Sequence, residues 1–181
     1  MKSNLKFFKN SKSLPVDKFF KNVLYDKKNG YYNSKLPFGS RGDFTTSPKI
    51  STLFSEMIAV WIISTWEIIG KPKKINIVEL GPGDGSLIKV FLNVFKRFPE
   101  FNMSKKIYLF EASNLLRNLQ KKNIRNADVK WINNFKSIKE GPVIFFGNEF
   151  LDAVPIKQFK RKKNFLYEKY FTIQKNFKIL E

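Results

Sequence analysis

"INIVELGPGDGSLIKV", Ile75 to Val90, is the stretch whose reading decides the fold. Residues 75–80 are apolar apart from Asn76 and Glu79, and a second apolar run begins at Leu87. Between them Gly81, Gly83 and Gly85 alternate with Pro82 and Asp84. Glycines after a strand and before a helix let the chain turn sharply and let a ligand approach backbone without a Cβ in the way. The pattern predicts a strand over 75–80, a tight turn, and a helix from about Gly85 to Phe98 with Leu87, Ile88, Phe91, Leu92 and Phe95 facing in. It is not the dinucleotide G-x-G-x-x-G, because the third glycine comes one position early, and no GK[ST] follows to make a phosphate loop.

Downstream, short apolar or branched runs recur at Lys106–Glu111, Asp128–Ile132 and Pro142–Gly147. A helix over Leu115–Lys122, capped by Ser113, separates two of them. Strands alternating with helices of this length specify a parallel sheet with covered faces. Upstream, a short helix is expected over Val16–Tyr25, closed by Gly30. After the polar, glycine-rich stretch "NSKLPFGSRGDFTTSPKIS", Ser47–Pro48 starts a long amphipathic helix that Gly70 and Pro72 end. Its apolar stripe is Ile50, Leu53, Phe54, Met57, Ile58, Trp61 and Ile62, with Trp61 and Trp66 taken as core contacts. Beyond Pro155, two aromatic runs flank "RKKN" as a hairpin.

Composition narrows the chemistry. A chain of 181 residues, 43% hydrophobic and 16% aromatic, buries a real core as one domain. It has no histidine and no cysteine, which excludes histidine bases, thiol nucleophiles, disulfides and the usual zinc sites. The formal net charge of +19 is almost all lysine, spread from Lys2 to Lys178. With no basic stripe or paired aromatics it reads as a solvated surface, and no specific nucleic-acid partner is expected. The basic start lacks the apolar core of a secretory signal, and no run approaches the ~18 apolar residues of a transmembrane segment.

The sheet's first strand ends near Leu80, so the glycine turn lies at the carboxyl edge where open α/β sheets take ligands. Glu79 just before the turn suits a cationic amino-acid group, and Asp84 within it disfavours a pyrophosphate. Glu111, closing the next strand, stands where an acidic residue accepts ribose hydroxyls. Together these favour S-adenosylmethionine over a nicotinamide dinucleotide. The same pattern also fits a tight β–α turn with two ordinary edge carboxylates. In "GNEFLDAVP", Asn148, Glu149 and Asp152 follow the fourth strand; two carboxylates and an amide suit a nitrogen nucleophile, a planar guanidinium above all. Equally, Asn148 and Asp152 serve as helix caps with Glu149 solvated.

Six stretches in this order, "GYY" (30–32), "GDFTTSPKIS" (42–51), "VELGPGDGSL" (78–87), "EASNLLRNLQ" (111–120), Trp131 and "NEFLDAVPIKQF" (148–159), resemble the class I S-adenosylmethionine-dependent methyltransferase family that includes the mitochondrial protein arginine methyltransferase and complex I assembly factor. The resemblance covers roughly residues 13–173. It implies an α/β, Rossmann-like class I methyltransferase fold with an N-terminal helical extension: 1–72 helical and loop extension, 73–155 cofactor-binding core, 156–181 a hairpin and the start of an incomplete C-terminal part. It places S-adenosyl-L-methionine on Glu79, Gly81, Pro82, Gly83, Gly85 and Glu111, under a loop bearing Gly42, Phe44, Thr45 and Thr46, and puts Asp43, Asn148, Glu149 and Asp152 around the methyl acceptor. Departures are Asp84 for a usually basic residue, Lys49 for an acidic one and Leu151 for an aromatic.

Members of the family run to about twice this length, so the chain resembles an N-terminal half with an unfinished sheet. The resemblance implies methyl transfer to a protein arginine of a respiratory complex I (NADH:quinone oxidoreductase) subunit, in the mitochondrial matrix of a eukaryote or the cytoplasm of a bacterium. The sheet is then a fragment's, or a partner chain completes it. The alternative is a non-catalytic, truncated cofactor-binding or assembly module. A nucleic-acid methyltransferase fits less well, since "NEFLDAVP" is unlike the N-P-P-aromatic signature.

Overall fold

The structure is a computed structural model that describes residues 7–8, 12–34, 51–125, 128–173 and 179–180. They divide into two compact units, Leu36–Phe150 and a second made of both chain ends, Met1–Lys35 with Leu151–Glu181. The cuts fall at 35/36 and 150/151 rather than at 72/73 and 155/156, because the long first helix of the larger unit packs on the sheet while the two chain ends pair with each other.

The smaller unit opens with β1 (Ser13–Pro15), which runs straight into α1 (Val16–Tyr25), followed by α2 (Tyr31–Ser34). In the larger unit come α3 (Thr52–Ile68), β2 (Ile75–Leu80), α4 (Ser86–Phe95), α5 (Pro99–Ser104), β3 (Lys105–Phe110), α6 (Asn114–Asn123), β4 (Val129–Ile132) and β5 (Val143–Phe146). The chain then returns to the smaller unit with β6 (Phe159–Lys162), β7 (Phe165–Glu168), β8 (Tyr170–Ile173) and β9 (Ile179–Leu180).

The larger unit is built on a parallel sheet in the order β4-β3-β2-β5. Strand order reverses at β2, which has its sequence successor on one side and the last parallel strand on the other. This is the α/β Rossmann-like arrangement, and its switch point lies between β2 and β5. On one face Ile75 and Ile77 of β2, Ile107 and Leu109 of β3 and Ile144 of β5 pack with Ala59, Ile62, Ile63 and Trp66 of α3 and Leu87, Ile88, Phe91 and Phe95 of α4. The other face carries a much smaller cluster of Val78, Tyr108 and Ile132. It is covered thinly, since residues 133–142 connect β4 to β5 with one 3-10 turn (Phe135–Ser137) in place of a crossover helix. Phe135 and Phe145 touch there, ring centroids 5.3 Å apart, and both stay about half exposed.

The helix predicted over 85–98 ends three residues early, at Phe95; i→i−3 bonds carry the chain to Phe98, and Pro99 opens a separate short helix, α5. The expected start of the long helix at Ser47–Pro48 lies outside the described residues, and Ser51 occupies the N-cap of α3. The inward stripe expected for that helix is also corrected: Leu53, Met57 and Trp61 are exposed.

The smaller unit pairs β1 antiparallel with β8, and β8 with β9. Phe8, Phe19, Phe20 and Phe171 form one aromatic cluster through tilted and edge-on contacts, with Phe19 and Phe171 centroids 4.5 Å apart. The Tyr25 hydroxyl donates to the Ala153 carbonyl at 2.9 Å. β6 and β7 form the hairpin expected around "RKKN", turning at Lys163, whose φ is +52°.

Candidate functional site

β2 aligns Glu79 with Leu109 of β3 and Phe146 of β5, and Leu80 with Phe110. The Gly81 N–H donates to the Phe110 carbonyl at 3.0 Å, so the glycine turn and the segment opening at Glu111 leave the sheet side by side. Gly81 takes φ +62°, and a Cβ there would lie 2.8 Å from the Phe150 ring. Gly85, at φ +80°, meets Ile124 in the same way, so the third glycine answers to packing as well as to any ligand. Helix α6 holds the turn from behind. Gln120 Nε2 donates to the Gly83 carbonyl and Asn123 Nδ2 to the Asp84 carbonyl, each at 2.8 Å. The Asp84 carboxylate accepts from the Ser86 N–H at 3.1 Å at the start of α4.

Glu79 is 3% exposed, and its Oε2 has no hydrogen-bond partner among the described residues. Burial, then the negative charges of Asp84 and Glu111, push its carboxyl up to about 8. Glu111 is 7% exposed but well supplied: Oε1 accepts from the Ser113 N–H at 2.8 Å and Oε2 from Gln120 at 3.2 Å. Burial raises its carboxyl, against these bonds and the Arg117 charge. Arg117 donates to the carbonyls of Glu111 and Ile132, tying the ends of β3 and β4 together.

Past β5, a Cβ on Gly147 would lie 3.0 Å from the Leu80 carbonyl oxygen, so residues 147–150 run against the end of β2 and the entrance to the glycine turn. Asn148 is half-buried and Glu149 exposed, and their side chains make no hydrogen bond with described residues. Glu149 has φ +55°, a left-handed backbone rare for a long side chain. Glu79, Gly81, Pro82, Gly83, Gly85, Glu111, Asn148 and Glu149 therefore share the carboxyl edge around the switch point. Asp152, exposed in the 3-10 turn Leu151–Ala153, belongs to the other unit. Gly42, Asp43, Phe44, Thr45 and Thr46 lie outside the described residues.

Sequence reasoning passed over Gln120, Asn123 and Arg117. The signal was present for one of them: Leu116, Gln120 and Ile124 recur every fourth residue, which sets an amide on the inward stripe of α6.

The donor set fits S-adenosylmethionine. The buried oxygen of Glu79, unpartnered among the described residues, matches an ammonium group, and Glu111, which accepts from the Ser113 and Ala112 N–H groups and from Gln120, keeps acceptor capacity for a ribose hydroxyl.

An α/β sheet with its acids and glycines gathered at the switch point defines the class of protein. The chain belongs to the family described as "Putative S-adenosyl-L-methionine-dependent methyltransferase", whose model matches residues 57–179, more than half of its length. It is similar to the mitochondrial protein arginine methyltransferase NDUFAF7 of Danio rerio (32% identical, covering 83% of this chain and 41% of that protein) and of Xenopus laevis (30%, 86% and 41%). A protein of Burkholderia thailandensis solved with S-adenosyl-homocysteine bound shares the fold at a TM-score of 0.77 and 23% identity, over 98% of this chain and 47% of that one. The chain thus spans less than half the length of these relatives.

Proposed function

We propose that this chain binds S-adenosyl-L-methionine and forms the cofactor half of a protein methyltransferase. The observation that carries the reading is the buried, unpartnered Glu79 oxygen beside a glycine turn and a ribose-competent Glu111. When bound, the cofactor supplies an electrophilic methyl group. Glu79 anchors the amino-acid end, Glu111 the ribose, and the glycine turn admits the chain between them. Asn148 and Glu149 stand beside the turn, where they orient the acceptor nitrogen and stabilise the positive charge it gains. Asp43 and Asp152 belong to the same acceptor-side proposal. No strong base is required, since the proton of a methylated nitrogen can leave to water after transfer.

The acceptor proposed is an arginine guanidinium, a planar fork suited to carboxylates, in keeping with the names of the relatives. That it belongs to a complex I subunit, and that a eukaryotic copy works in mitochondria, rests on the resemblance alone. Calorimetric titration tests the core of this reading. S-adenosyl-homocysteine should bind and NAD should not, and Glu111→Ala should weaken the former at least tenfold, about 1.4 kcal/mol. Tighter binding of NAD, or a smaller loss, would count against it.

A second reading is favoured by the sheet face that the described residues cover thinly: turnover needs further structure packed on that face. These residues alone then bind cofactor without turnover, and supplying the structure that covers this face restores methyl transfer. Steady turnover by the purified chain alone would exclude this second reading.

A further inference from the structure

We propose that Trp131 and Gln120 are positioning residues for the cofactor, the indole of Trp131 fixing the Gln120 amide so that its NH2 group holds the Gly83 carbonyl and the Glu111 carboxylate together. The inference rests on the cofactor reading above and assigns work to β4, which carries none of the expected site residues. Gln120 is fully buried, where an unpaired amide would be destabilising. Its Oε1 accepts from Trp131 Nε1 at 2.8 Å; its Nε2 donates to the Gly83 carbonyl at 2.8 Å and to Glu111 Oε2 at 3.2 Å. An indole N–H only donates, and a carbonyl and an ionised carboxylate only accept. One orientation of the amide therefore satisfies all three neighbours, and the flipped one satisfies none.

The two acceptors come from different elements, the turn after β2 and the segment after β3. The Gln120 bond and the Ser113 N–H together set the plane of the Glu111 carboxylate, leaving its outer lone pairs for the ribose. Trp131 sits beside Leu109 in the sheet register and is only half-buried. It acts on the cofactor site only through Gln120. Asn123 provides the internal comparison, because it holds the neighbouring carbonyl of Asp84 but not Glu111.

The test titrates S-adenosyl-homocysteine and its 2′-deoxy analogue into the full chain and its variants. The wild type should prefer the ribose form by about tenfold, one charge-assisted hydrogen bond. Gln120→Met should bind S-adenosyl-homocysteine about tenfold more weakly and lose most of that preference, and Trp131→Phe should shift both in the same direction by about threefold. Asn123→Ala should weaken both ligands alike and keep the preference, as any general loosening of the fold would. Trp131→Phe retains the aromatic packing, so it decides the matter if Gln120→Met fails to fold. A wild-type preference undiminished in the folded variants overturns the inference while leaving the cofactor reading intact. Failure of the wild type to bind S-adenosyl-homocysteine at all overturns both.

Discussion

Burial leaves Glu79 with one oxygen that no described residue hydrogen-bonds, in the company of Asp84 and Glu111, and its carboxyl is pushed up to about 8. In the unfolded chain the same group titrates near 4.5. The folded state therefore holds the proton more tightly. Its contribution to stability is fully present below about 4.5 and is lost as pH rises towards 8, by roughly 1.4 kcal/mol per pH unit at most. Melting temperatures of the cofactor-free protein should fall between pH 5.5 and 8, and Glu79→Gln should flatten most of that fall; an unchanged slope in the variant would assign it elsewhere. Glu149 poses the opposite case, an exposed side chain on a left-handed backbone. Glu149→Gly should relieve about 1 kcal/mol of strain and raise the melting temperature. In a catalytically complete assembly, Glu149→Gln should leave cofactor affinity intact and slow methylation at least tenfold, about 1.4 kcal/mol. Faster melting of the glycine variant with unchanged methylation by the glutamine variant would make this carboxylate merely structural. Glu79 and Glu111 were legible in the sequence because each stands at the end of an apolar run. Gln120 was not, because the partners that give it meaning come from a turn and a strand on either side of it in the chain.

Helix α3 shows where periodicity stops being informative. Apolar residues occupy most of its circumference, so a repeat at three and four residues can be drawn along either side. Packing chose the side with Ser55 and Ala59, whose small side chains let α4 approach, together with Ile62, Ile63 and Trp66. Leu53, Met57 and Trp61 are left 60%, 64% and 58% exposed. The two tryptophans consequently differ. Trp66 donates to the Pro72 carbonyl at 2.9 Å and meets Phe101 edge-on, centroids 5.5 Å apart. Urea denaturation should show Trp66→Ala costing about 3–5 kcal/mol and Trp61→Gln within about 0.5 kcal/mol of the wild type. Equal losses at both positions would mean that the outer face of α3 is also packed. The strands were easier to read than the helices. β2 is apolar on both sides of its pleat, and Gly81 stops it, so its bounds coincide with those expected. The helix boundary at Pro99 and the missing crossover helix between β4 and β5 depend on spacing that composition does not reveal.

At the scale of the whole molecule, the parallel pairing of the strands and the place of the glycine turn followed from the alternation of short apolar runs with helices; the thin cover on one sheet face did not. The kinship of the two chain ends did not, because antiparallel pairing between residues so far apart leaves no local mark. Ser13 and Thr172 share a hydrogen bond across 159 residues of sequence, while residues 36–150 close their own sheet and core without either end. That nesting sets a timetable for the ribosome. A chain made from its amino terminus releases the first strand long before its mate exists, and closing so large a loop is slow as well as late. Residues 36–150 hold their own core once β5 emerges, so that unit is expected to fold while β1 still waits, unpaired, for β8 to be synthesised.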